Sequence, residues 1–446
     1  MKISVYGAGY VGLVSAACLA KLGHFVVCLD IDAQRIQSLL QGHCPFYEEN
    51  LPQLLQEQAE KGHLQFTTTF DEACRQAEMH LIATGTPSLA DGNADLSQIY
   101  AVAEKIAEET QKDSFIVVKS TVPVGTSDLL QAHVTKKCQK FHLEVCSNPE
   151  FLREGTAVKD FLTPDRIIIG GSNKALAMLQ KIYEPLIERG VPLLTMSCVS
   201  AELVKYSANA MLACRISFMN QISSLAEKVN ANIDEVKQGM SKDPRIGSLF
   251  LEAGLGYGGS CFPKDLRSLT ETAKKYGVDA SLFEVIDKVN QNQKNWVYST
   301  VNRHFNHVIK GLTIGIWGLA FKPATDDMRE ASSLVAIHAL EQAGAKLCVF
   351  DPIAMPRAQN LLANLASINW CDSLEAVLES PLDALVIVTE WPVFKQYPLD
   401  KLKVRLGQAP IFDGRNCFGL AQVEEVQLPY YYSVGRPPFI AKVKQC

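Results

Sequence analysis

The chain has no apolar run near the roughly 20 residues of a membrane span. It has no block of Lys and Arg that would mark a nucleic-acid or membrane surface, and no C-x-x-C pair. Its formal net charge is only −5 over 446 residues, so partners selected by bulk charge are not implied. Thirteen cysteines are present, but the closest two, Cys138 and Cys146, stand eight apart, which removes zinc and dithiol redox spacings. An odd count in a long chain also argues against a disulfide scaffold. The expectation is a reducing cytoplasm, with most cysteines serving as small buried apolar side chains. The N-terminal run Lys2–Tyr6 is followed by Gly7, Gly9 and Gly12. It reads as a first β-strand rather than a signal peptide.

What is present is ordinary in bulk and specific in detail. Apolar residues make up 47% and charged residues 20%, the balance of a soluble globular protein. The length suggests about three domains.

The first strand runs into Gly7-Ala8-Gly9-Tyr10-Val11-Gly12, a helical pattern to Gly23, a second strand Phe25–Leu29, and Asp30. This is the dinucleotide fingerprint in its full context. Gly7 makes the turn, Gly9 admits the diphosphate to the backbone, and Gly12 lets helix and strand approach. The diphosphate would sit at the helix N-terminus, where unbonded N–H groups favour an anion. Asp30 would accept the ribose hydroxyls and repel a 2′-phosphate, favouring NAD over NADP, with FAD the alternative in the same class. Further strands are expected at 79–84 and 114–121. Both end in hydroxyl residues, Thr84 and Thr86 in one case and Thr121 in the other. In a parallel sheet these face the cofactor, unless they merely cap following helices.

Asn148-Pro149-Glu150-Phe151-Leu152-Arg153-Glu154-Gly155 sets two carboxylates around an aromatic and an arginine; it reads as an acidic loop or as a solvated helix start. An apolar-periodic stretch then runs from Ser200, a plausible N-cap, to about Asn232, a helix of roughly 45 Å. Lys205 and Asn209 are four apart and share one face of it, suiting an oxyanion site or a solvated edge. Residues 254–265, Gly254-Leu255-Gly256-Tyr257-Gly258-Gly259-Ser260-Cys261-Phe262-Pro263-Lys264-Asp265, crowd four glycines before one cysteine. Such a loop allows positive φ and close ligand approach, or makes a tight turn around a structural cysteine. From residue 312 the pattern of strand, glycine turn, helix, strand and aspartate returns without an intact fingerprint. A second doubly wound domain for a nucleotide-linked substrate is expected, with Lys322, Arg329 and Arg415 as phosphate cations.

Taken together, GAGYVG at the start, SNPEFLREGTA (147–157), AELVKYSANAML (201–212), GYGGSCFPKD (256–265) and GLAFKPATDDMRE (318–330) closely resemble the nucleotide-sugar dehydrogenases over essentially the full length. Gly-Gly-Ser-Cys-Phe-Pro and the Asp243–Gly247 run place the resemblance nearest the UDP-glucose branch, with the GDP-mannose branch as runner-up. The resemblance implies an α/β fold of two Rossmann-like domains joined by a long central helix. The expected domains are 1–196 for NAD, 197–300 for dimerisation and the cysteine loop, and 301–446 for the UDP-sugar.

It also implies oxidation of the C6 alcohol to a carboxylate with two NAD. Cys261 is then the nucleophile, because an aldehyde has no second hydride to give until a thiolate adds. Lys205 and Asn209 would stabilise charge on the C6 oxygen. Asp265 would handle protons, and Glu150 would activate the hydrolytic water with help from Thr121. Tyr10, Val11, Arg35, Glu154 and Arg329 join Gly7, Gly9, Gly12, Asp30, Thr84, Thr86 and Thr121 on the NAD side. Substrate contacts map to Phe151, Leu152, Arg153, Glu154, Lys205, Asn209, Phe250, Gly254, Tyr257, Gly258, Lys322 and Arg415. Arg245 is expected from the partner of a homodimer formed through the central helix. No metal, nucleic-acid or membrane partner is implied. A non-catalytic NAD-binding scaffold is the reading from another class.

Overall fold

Short runs of Val, Ile and Leu buried on both faces form parallel strands when helices cover the sheet, and the chain does this twice. A computed structural model describes residues 1–441. The first eight strands are β1 Lys2–Tyr6, β2 Phe25–Leu29, β3 Leu64–Thr67, β4 Met79–Ile82, β5 Ser114–Val118, β6 Leu143–Ser147, β7 Ile167–Gly170 and β8 Leu193–Met196. They form one sheet in the order β3-β2-β1-β4-β5-β6-β7-β8. Pairing is parallel except at β6–β7, where Ser147 meets Gly170 antiparallel. The strand order reverses between β1 and β4, which puts the switch point at the ends of Tyr6 and Ile82.

The second sheet repeats the plan. Its strands are β9 Thr313–Trp317, β10 Lys346–Phe350, β11 Ile368–Trp370, β12 Ala384–Ile387, β13 Ile411–Asp413, β14 Tyr430–Ser433 and β15 Phe439–Ile440. The order is β11-β10-β9-β12-β13-β14-β15, with only the β14–β15 edge antiparallel. The two doubly wound sheets expected from the sequence are therefore both present. The last five residues of the third expected domain, 442–446, lie outside the described residues.

By contact density the chain divides into two units. The first comprises Met1–Ala208 and Arg267–Asp279; the second comprises Asn209–Leu266 and the chain from Ala280 onward. The first unit packs apolar side chains on both faces of its sheet, with Leu13, Ala16 and Leu19 on one and Ile99, Ala103 and Ile106 on the other. The second buries Trp317, Phe394 and Phe412 around β9, β12 and β13. Among the described residues no helix is long and apolar enough to cross a membrane.

The long helix spans Cys198–Val229, starting and ending earlier than the periodicity suggests. Ser200 is not its N-cap: the Ser200 N–H donates to Ser197 Oγ at 3.2 Å, and Ser197 O accepts the first helical bond, from Ala201 N. Periodicity marks where a helix buries its face, and the uncovered first turn carries no such signal. At the other end Asn230 turns left-handed (φ 57°), and Asn232 caps the next helix, Ile233–Ser241, through Asp234 N at 3.0 Å.

Candidate active site

The fingerprint turn has the shape that its glycines require. Gly7 sits at φ 100°, and a Cβ on Gly12 would lie 1.8 Å from Gly7 O, so the helix Tyr10–Lys21 can pack this closely only on glycine. In front of Gly9 a Cβ would meet open space, and Gly9 at the N-cap leaves the first amides without a side-chain cap. Beside this turn the Thr84 hydroxyl is buried with no hydrogen-bond partner among the described residues. An uncapped helix start, open space and an orphaned hydroxyl together fit a diphosphate-linked dinucleotide. Asp30 is buried; its carboxylate accepts Ala8 N at 2.7 Å and the Arg35 guanidinium at 2.9 Å. Arg35 therefore belongs to this corner.

Thr84, Thr86 and Thr121 do not cap helices. Thr86 Oγ1 donates to Thr121 O at 2.9 Å, tying the ends of β4 and β5 together. The helix after Thr121, Thr126–Lys137, has its first amides held by a carboxylate from elsewhere in the chain. Glu202, on the long helix, accepts Gly125 N at 2.7 Å, Ser127 N at 2.8 Å and Ser127 Oγ at 2.6 Å. Burial raises its pKa.

The segment 148–155 is not a solvated helix start, because Asn148 and Glu150 are buried and the helix begins only at Ala157. Glu150 makes a buried ion pair with Lys205, Oε1 to Nζ 3.0 Å, and its other oxygen accepts Leu152 N at 2.5 Å. Two cations lie over the Phe151 ring, Arg166 at 3.9 Å and Lys205 at 5.2 Å from its centroid. Arg153 is exposed and pairs with Asp160 at 2.6 Å, whereas Glu154 is half-buried. A cavity of about 300 Å³ adjoins this turn, lined by Lys119, Asn148, Glu150, Phe151, Arg166 and Tyr183. Lys119, also unforeseen, is buried with Nζ 3.1 Å from Asn148 Oδ1, and burial pushes its pKa down to about 8.

In the second unit the glycine loop is clamped from several sides. Gly254 N donates to Asn220 Oδ1, Gly254 O accepts Gln293 Nε2, and Tyr257 exchanges two bonds with Asn290. A Cβ on Gly258 would lie 2.5 Å from Glu330 O, and one on Gly259 (φ 78°) 2.8 Å from the Phe321 ring. Gly258 thus permits a close approach to backbone, and Gly259 a left-handed turn against an aromatic ring, that a residue with a Cβ would obstruct. Phe250 holds φ 59°, a strained value for an aromatic residue.

Cys261 is half-buried at the N-cap of the helix Phe262–Lys275, its carbonyl accepting Asp265 N at 2.9 Å. A helix N-terminus favours negative charge, and the thiolate is the reactive form of cysteine. Asp265, buried, accepts Asn209 Nδ2 at 2.6 Å and Lys264 Nζ at 2.6 Å. Lys205 and Asn209, one turn apart on the long helix, thus each hold a different carboxylate.

Arg415 is bound by protein carbonyls, those of Val388 (2.8 Å), Gly256 (3.2 Å) and Phe321 (3.3 Å), with Glu390 at 3.3 Å. Lys322 lies 5.9 Å from the Phe321 ring centroid. Arg329 forks onto Asp327, and the exposed Arg245 onto Asp243. The degenerate fingerprint of the second sheet is closed by its own residues. Asp351, the counterpart of Asp30, is saturated by Leu319 N, Ala320 N, Ile353 N, Ala354 N and the Trp391 indole. The helix after the Gly318 turn begins only at Ser332, and Ser333 Oγ in its first turn donates to Leu319 O.

One fingerprint sheet suited to a dinucleotide, a second doubly wound sheet, and a cysteine at a helix start define a nicotinamide-dependent dehydrogenase. Family models agree across the chain. Residues 1–187 match the NAD binding domain of the UDP-glucose/GDP-mannose dehydrogenase family, 199–292 its central domain, and 315–419 its UDP binding domain. The chain belongs to this family, and NAD is its cofactor. It is 41% identical over 440 residues to a UDP-glucose 6-dehydrogenase of Bacillus subtilis, covering 98% of each chain. It is also 41% identical over 446 residues to one of Pseudomonas aeruginosa, again at 98% of each. A solved UDP-glucose dehydrogenase from Pyrobaculum islandicum superimposes with TM-score 0.89 at 33% identity over 97% of both chains.

Proposed function

We propose that this chain oxidises the C6 alcohol of UDP-glucose to the carboxylate of UDP-glucuronate through a covalent intermediate on Cys261. The observation that carries this reading is the placement of Cys261 at a helix N-cap, two residues after glycines that leave no room for side chains. Bound NAD supplies the hydride acceptor, and two are consumed per sugar. Lys205 and Asn209 stabilise negative charge on the C6 oxygen as the alcohol becomes an aldehyde. The Cys261 thiolate then adds to the aldehyde, forming the C–S bond of a thiohemiacetal that has a second hydride to give. Loss of that hydride leaves a thioester. Glu150 takes a proton from water, with Thr121 holding that water, and the hydroxide displaces the thiolate. Asp265, held by Asn209 and Lys264, balances protons during the first oxidation.

The backbone of Phe151–Glu154, the 250–258 loop, Lys322 and Arg415 serve the UDP-sugar, and Glu154 and Arg329 the NAD side. The functional division remains 1–196, 197–300 and 301–446. A homodimer is supported by an unpartnered apolar seam on the long helix. Met211, Phe218 and Leu225 recur every seven residues and are each at least half exposed, the spacing of a helix–helix contact. Arg245 would then act in the partner's site, and catalysis would be cytoplasmic. The test is NADH formed per sugar. Two per UDP-glucose supports the reading; one indicates a simple alcohol dehydrogenase, and turnover on GDP-mannose alone reassigns the substrate.

A further inference from the structure

The dinucleotide turn and the segment that carries Glu150 are joined by a carboxylate from a third part of the chain. Glu48 lies between the helices Ala33–Leu40 and Leu51–Glu60 and is 3% exposed. One of its oxygens accepts the Tyr10 hydroxyl and Gly155 N at 2.6 Å; the other accepts Ala157 N at 2.7 Å, with Val158 N at 3.4 Å. The same Gly155 N–H also points at Tyr10 Oη, 3.0 Å away. Tyr10 is the first residue of the fingerprint helix, and its ring packs on Phe46, centroids 4.8 Å apart. Gly155 holds φ 85° at the end of the 150–155 segment.

From this geometry we infer that Glu48 is a positioning residue that couples the two binding steps, with Tyr10 as its hinge. Ordering of the Phe151–Glu154 backbone by a UDP-sugar would pass through Gly155, Glu48 and Tyr10 to the turn that holds the NAD diphosphate, and the reverse. A carboxylate suits this position because every group facing it is a donor. Burial, and then the bond to Glu48, push the Tyr10 pKa upward, so the phenol keeps its proton and remains a donor. Glutamine would turn an NH₂ towards one of the two donor sets and lose it. This inference rests on the substrate assignment made above.

The test is a titration of NADH, followed by its own fluorescence, with and without saturating UDP-glucose, a pair that cannot turn over forward. In the wild-type protein UDP-glucose tightens NADH, by reciprocal linkage. Tyr10→Phe, which keeps the carboxylate and its backbone bonds, lowers that ratio several-fold. Glu48→Gln brings it to about one, a loss of about tenfold in line with one hydrogen bond to a charged group. A purely structural role would lower Tm and the active fraction but leave the ratio in the folded protein unchanged. A wild-type ratio of one, or a Tyr10→Phe ratio equal to wild type, overturns the inference, and Tyr10→Phe keeps it testable if Glu48→Gln fails to fold. Turnover with unchanged ratios defeats the coupling alone. No turnover with UDP-glucose defeats the functional assignment itself.

Discussion

Replacing Glu150 with Gln separates the two halves of the proposed reaction. The side chain keeps its size, but one carboxylate oxygen becomes an NH₂. Glu150 now serves two donors, Lys205 Nζ at 3.0 Å and Leu152 N at 2.5 Å, with both ionic side chains about 5% exposed or less. A glutamine oxygen can satisfy only one of them. Removing one member of a buried ion pair costs about 3–5 kcal/mol, and the retained oxygen brings the expected loss to about 2–3 kcal/mol. The chemical effect is larger in its own step. Loss of a general base slows water attack by roughly 10²–10⁴-fold, or about 3–5 kcal/mol in barrier. Neither hydride transfer uses Glu150 as a base. Stopped-flow absorbance of NADH should therefore show a burst of about two NADH per active site, then a steady state slowed by those factors. A folded variant with no burst and near-wild-type steady state would refute the role of Glu150.

Other outcomes follow from single contacts. Gly258→Ala forces a Cβ against the Glu330 carbonyl at 2.5 Å, so turnover should fall by more than about tenfold, a barrier change of about 1.4 kcal/mol, with NAD affinity unchanged by titration. Lys119 is lowered by burial from 10.5 to about 8, so between those pH values the unfolded chain holds a proton the folded one has lost. Its contribution to stability therefore rises with pH across that window, by on the order of 3 kcal/mol. Lys119→Met should flatten the pH dependence of denaturant unfolding there, and an unchanged slope contradicts it. Glu202→Gln should cost about 1–3 kcal/mol and speed amide exchange at Gly125 and Ser127, whose N–H groups it now holds. Phe218→Glu should give a monomer by light scattering.

The fold was legible because its signals are local. A strand, G-x-G-x-x-G, a helix and an acid lie within the first 30 residues, and the second sheet repeats the pattern in order. The catalytic candidates lie in short contiguous motifs, and the roles proposed for them come from the resemblance those motifs carry. The partners of Glu48, Glu202 and Lys119 were not legible. Glu48 meets Gly155 across 107 residues, and Glu202 meets Gly125 across 77. Nothing around either acid in the sequence separates it from a solvated surface acid. The start of the long helix was misplaced for a related reason, since Ser197 caps it from outside the apolar pattern. Arg415 was expected at phosphates from its charge and from the resemblance, and the three backbone carbonyls that its guanidinium meets have no local signal in the sequence.

The most direct test of the covalent route is peptide mass mapping of the Glu150→Gln protein after mixing with UDP-glucose and NAD and quenching in acid. The account predicts one UDP-glucuronyl group in thioester linkage on the peptide containing Cys261, absent without NAD and removed by hydroxylamine. An unmodified Cys261 during accumulation of two NADH per site, or the adduct on another residue, would contradict it.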